Sequence, residues 1–123
     1  MEILALFTLL QIKHFYADFA IQTYQQTVRK GIYKDLVGIS HTLDHICATL
    51  LVLVVFNIFH PISASVILLL SLIEGIVHYH IDWIKVRFGT KNMQCSAFWQ
   101  QFGIDQLAHQ LTYIFMIWYL LLV

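Results

Sequence analysis

Four pairs of side chains with metal-ligand chemistry recur along the chain at a spacing of four residues: His14 and Asp18, His41 and His45, His78 and Asp82, Asp105 and His109. Four residues is about one helical turn, so each pair shares one face if its segment is helical. Imidazole with carboxylate suits zinc first, with iron, manganese or nickel as alternatives. Five imidazoles and several acids suffice for one or two divalent ions, with further carboxylates to orient the rings. Gln22, Asp44, Glu74, Lys85 and Gln106 lie near the pairs and are candidates for that supporting role or for holding a substrate. Two other readings compete. A buried hydrogen-bond network that ties helices together is the plainer account of any single pair. A proton or ion relay is the other, because transporters also use chains of Asp, Glu and His.

The elements that must position these pairs are apolar. The 123 residues are 59% hydrophobic and 11% charged, against about 45–50% and 25% in soluble domains. A formal net charge of zero argues against nucleic acid as a partner, which calls for a basic excess. One Pro and five Gly exclude a disordered or collagen-like chain. Cys47 and Cys95 are too few for a disulfide framework and are not expected to pair.

Four segments, about 3–24, 36–59, 63–88 and 102–123, meet the roughly 20 apolar residues a membrane-crossing helix requires. Such uninterrupted runs suit helices rather than barrel strands. The expected fold is all-α, a single transmembrane domain over 1–123 built as a four-helix bundle with short loops. Pro61 separates the second and third spans, and Asp35 is a candidate cap for the second. Lys85 and Arg87 followed by Gly89 read as a helix end with a glycine cap. The stretch containing Met93, Phe98, Trp99 and Phe102 reads as an interfacial connection, and Trp118 and Tyr119 as an aromatic belt. Glu2 stands where a signal peptide would be basic, so the first span is expected to be retained.

Six of the seven basic residues fall in or beside the first and third connections (Arg29, Lys30, Lys34, Lys85, Arg87 and Lys91). That side is therefore read as cytoplasmic, with both termini outside. At about 1.5 Å per residue, Asp18, His45, His78 and His109 all fall roughly 9–10 Å from the cytoplasmic ends of their spans. Four independent stretches thus bring their pairs to one depth, while the outer halves are nearly free of polar side chains. Lys13, the one basic residue inside a span, is expected to snorkel or to pair with Glu74 or Asp18. His80 lies about 200° around the helix from His78 and His60 sits beside Pro61, so both are read as incidental.

The chain contains no nucleophile-elbow pattern, no glycine-rich phosphate loop and no histidine boxes of a membrane desaturase. His41 and His45 lack the Glu of the zinc-protease HExxH motif.

Taken together, the run from His14 to Gln22, the His41/His45 pair, the run from His78 to Lys85 and the Asp105-Gln106-Leu107-Ala108-His109 run resemble a family of small bacterial and phage membrane proteins, domain of unknown function 3307. The resemblance covers nearly the whole chain. It implies an integral inner-membrane protein and supplies no settled activity, and Glu74 lies outside its pattern. A looser similarity is to membrane-bound metal-dependent hydrolases. The resulting expectation is a metal site in the cytoplasmic leaflet, with His14, Asp18, His41, His45, His78, Asp82, Asp105 and His109 as ligands. Hydrolysis of a lipid or lipid-linked substrate would be its activity. Transport of a metal ion or proton, and a non-catalytic membrane module, are the alternatives. A homo-oligomer would be compatible with each.

Overall fold

The computed structural model describes residues 2–123, which form helices and no strands. Helix α1 (Glu2–Phe15) runs into a π-helical turn (Tyr16–Ala20), followed by α2 (Tyr24–Arg29), α3 (Leu36–Asn57), α4 (Ala64–Phe88) and α5 (Ser96–Leu120). Three helical stretches, Glu2–Ala20, Leu36–Asn57 and Ala64–Phe88, are long and apolar enough to cross a membrane.

Local chemistry accounts for most boundaries. Asp35 caps α3 as expected, its carboxylate accepting from the N–H groups of Val37 and Gly38 at 2.9 and 3.3 Å. Ser63 caps α4 by accepting from Val66 N–H. Three expectations need correction. The first helical stretch ends at Ala20 rather than near Tyr24, because Thr23 and Gln26 form a reciprocal capping box that starts α2 inside the expected loop. Helix α5 begins at Ser96, six residues before the expected start, so Phe98, Trp99 and Phe102 belong to its first turns. Gly89 does end α4, but with extended backbone (φ −74°, ψ 155°) rather than a left-handed cap.

The four long elements pack in cyclic order, α1 on α3, α3 on α4, α4 on α5 and α5 on α1. Gly75 leaves room on α4 for the Ile46 side chain of α3: a Cβ there would run into it. At one end the bundle is filled by Leu6, Leu10, Leu53, Ile67, Leu70, Tyr113, Met116 and Ile117. At the other its buried side chains are mainly polar and include His14, His41, His45, His78, Asp82, Asp105 and His109. The outward faces are apolar, with Leu51, Ile76 and Ile104 each at least 60% exposed. An apolar exterior around a polar interior is what lipid as the surrounding solvent favours.

Candidate metal centre

Each sequence pair is joined across one helical turn, and the four meet inside the bundle. His14 Nε2 lies 3.2 Å from Asp18 Oδ2, and His78 Nε2 3.1 Å from Asp82 Oδ2. His109 Nε2 is 3.7 Å from Asp105 Oδ1. The rings of His41 and His45 meet edge-on at 4.8 Å. Asp18 sits in the middle of the π-helical turn, where Ile21 N–H reaches back five residues to Tyr16 O at 3.1 Å. Such turns redirect side chains and recur at functional sites.

Three groups of potential ligands result. In the first, Asp18, His41, His45 and His78 each offer an atom, and these atoms lie within 4.8 Å of one another. Asp18 Oδ1 is 3.0 Å from His41 Nε2 and 3.2 Å from His45 Nε2, and the Nε2 atoms of His41 and His78 are 3.4 Å apart. The second group is His14, His78 and His109, and the third is Asp82, Asp105 and His109. Asp82 joins the first and third: Oδ2 approaches His78 and His41 at 3.1 and 3.4 Å, while Oδ1 faces His109 at 3.8 Å.

The donor set fits a divalent cation. His109 Nε2 and Asp105 Oδ1 are buried without a well-directed hydrogen bond. An unsatisfied buried polar atom costs roughly 1–3 kcal/mol, and a cation bound between these two groups would offset that cost at both.

Glu74 stands behind this centre and links it to α1. Its Oε1 lies 3.6 Å from His45 Nδ1 and 3.8 Å from His78 Nδ1, the ring atoms turned away from the ligand cluster. Lys13 Nζ donates to the same oxygen at 2.7 Å, in the pairing expected of it. Tyr113 O–H reaches Glu74 Oε1 at 3.3 Å, and Thr49 O–H reaches Oε2 at 3.2 Å. A carboxylate against the far nitrogen of an imidazole orients the ring and raises its basicity.

The remaining candidates divide. Gln22 Nε2 lies 2.8 Å from His41 Nε2, and Gln106 Oε1 3.2 Å from His14 Nε2. Asp44 faces α2 instead of the cluster and accepts from Gln26 Nε2 at 2.9 Å. Lys85 stands 5.2 Å from the centroid of the Phe102 ring. His80 is exposed, with Nδ1 2.7 Å from the Ile76 carbonyl, and His60 pairs with Glu2 at the opposite end of the bundle.

Two residues of the centre escape sequence reasoning. Lys30, counted only as a cytoplasmic charge, is 7% exposed and lies 3.0 Å from Asp82 Oδ2. Gly38 makes room for it: a Cβ there would stand 3.0 Å from Lys30 Cα. Tyr113 lies one turn beyond His109, which was the available signal, and its hydroxyl is 2.9 Å from His14 Nδ1.

Fold and centre together define an all-helical protein with apolar helices of membrane-crossing length around a buried His/Asp cluster. The family described as "Protein of unknown function (DUF3307)" matches residues 6–123, and the chain belongs to it. No curated protein and no solved structure matches. The looser similarity to metal-dependent hydrolases therefore has no match behind it.

Proposed function

We propose that the chain is a multi-pass protein of a bacterial or phage-encoded cytoplasmic membrane, with α1, α3, α4 and α5 all crossing and both termini outside. Its buried centre holds one or two divalent ions, zinc first, in the cytoplasmic half of the bundle. The observation that carries this reading is the convergence of Asp18, His41, His45 and His78, with one potential ligand atom from each inside 4.8 Å. The cytoplasmic assignment follows from the six basic residues at one end of the bundle.

The activity that suits such a centre is hydrolysis of a lipid or lipid-linked substrate. A bound divalent ion would lower the pKa of a coordinated water to about 7. A carboxylate of the cluster not engaged by the ion would take the proton. Elemental analysis of purified wild type, His45→Ala and His109→Ala tests the site. Stoichiometric metal in wild type, lost from both variants, is expected. No metal above background in well-folded protein purified without chelator would refute it.

A relay is the second reading, favoured by one observation. The polar chain continues from His45 Nδ1 to Lys13 Nζ at 3.2 Å and on to Glu74, Thr49 and Tyr113. It ends against Leu6, Leu10, Leu53 and Leu70, so transport would need a path completed by a homo-oligomer. Proton or metal flux into vesicles containing the purified protein distinguishes the two readings.

A further inference from the structure

A cavity of about 330 Å³ opens between the cytoplasmic-end turns of α4 and α5. Its walls include Ile84 and Phe88 of α4 and Ile104 and Ala108 of α5, and two charged residues, Lys85 and Asp105, also line it. Ile84, Phe88 and Ile104 are more than half exposed on the outer, apolar surface of the bundle, so the cavity opens sideways, where acyl chains would lie. Asp105 is 5% exposed and belongs to the third ligand group with Asp82 and His109. One residue therefore faces both the cavity and the candidate metal centre.

Lys85, half-buried at the cavity wall, differs from the two buried lysines. Lys13 pairs with Glu74 and Lys30 with Asp82, but Lys85 has no carboxylate within 4.0 Å among the described residues and rests beside the Phe102 ring. A lone ammonium in a mostly apolar cavity is complementary to an anionic group attached to a hydrocarbon chain. Lys85 would supply one positive charge and an ion held by Asp82, Asp105 and His109 a second. Two cations facing one cavity suit a group with several anionic oxygens better than a single carboxylate.

We infer that this lateral cavity binds the phosphomonoester end of a membrane lipid, with Lys85 contacting the phosphate and the acyl chain leaving between α4 and α5. The inference rests on the proposed metal reading only for the second cation.

The test uses full-length protein in phosphatidylcholine vesicles doped with a photoreactive phosphatidic acid, with labelled residues mapped by mass spectrometry. Photoreactive phosphatidylcholine and photoreactive oleate serve as comparisons. Phosphatidic acid should label the walls around Ile84 and Ile104 in preference to both comparison lipids. Lys85→Gln should lower labelling about ten-fold, the loss expected for a charge-assisted hydrogen bond, while Lys85→Arg keeps it. Both variants should keep wild-type metal content, which also shows that they fold. Equal labelling by either comparison lipid, no effect of Lys85→Gln, or displacement by millimolar inorganic phosphate would each overturn the inference. Metal without selective labelling rejects the cavity alone. Selective, Lys85-dependent labelling of a protein without metal rejects the metal centre alone.

Discussion

Lys13 and Glu74 offer a way to separate what holds the bundle together from what the cluster does. Their side chains are 5% and 1% exposed and 2.7 Å apart. Glu74→Gln keeps the shape and an acceptor for Tyr113 or Thr49 but leaves the Lys13 ammonium buried without a counter-charge. Breaking a buried pair from one side costs about 3–5 kcal/mol, and that loss is expected for Glu74→Gln and for Lys13→Met. The double variant removes both charges, so it should be more stable than the sum of the two losses implies, by about 2–3 kcal/mol. Denaturant unfolding in detergent, followed by the fluorescence of the three tryptophans, measures the cycle. Strict additivity would refute the pairing. Metal affinity supplies the second readout. Glu74 also faces the Nδ1 atoms of His45 and His78, and losing such an orienting carboxylate weakens binding about 10–100-fold. The double variant should regain stability without regaining that affinity. Recovery of both together would mean that Glu74 acts on the centre only through the fold.

Other perturbations address single contacts. Lys30 Nζ competes with any bound cation for Asp82 Oδ2, from which it stands 3.0 Å. Lys30→Met should therefore tighten metal binding about ten-fold in a chelator-competition titration, and weaker binding would contradict the arrangement. Gly75→Ala drives a methyl group into Ile46 and should cost about 1–3 kcal/mol. Combining it with Ile46→Val should return part of that loss in the same unfolding assay, and no rescue would contradict the packing of Ile46 over Gly75.

The helices and their paired ligands were legible because both are local. Apolar runs set α3 and α4 within a few residues of their observed ends, and Asp35 and Ser63 cap them through contacts two or three residues away. The i,i+4 spacing aligned His14 with Asp18 and His78 with Asp82 whatever the neighbouring helices did. The end of the first helix is not legible in the apolar pattern, because the Thr23–Gln26 capping box restarts the helix at Tyr24, with Ile21, Gln22 and Thr23 between. The start of α5 was misread because Gln100 and Gln101 interrupt the apolar run without breaking the helix.

What the sequence determined by itself is therefore a set of apolar helices carrying four His/acid pairs, each on one face. Which pairs face one another was decided only by the tertiary structure, because it depends on how each helix is rotated and how closely it approaches its neighbours. Ile46 of α3 packs over Gly75 of α4, and the π-helical turn holds Asp18 between His41 and His45. The space beside Gly38 brings Lys30 to Asp82. None of these contacts is encoded in the spacing of neighbouring residues. Each depends on the packing of segments tens of residues apart, and through them four local pairs become one buried centre.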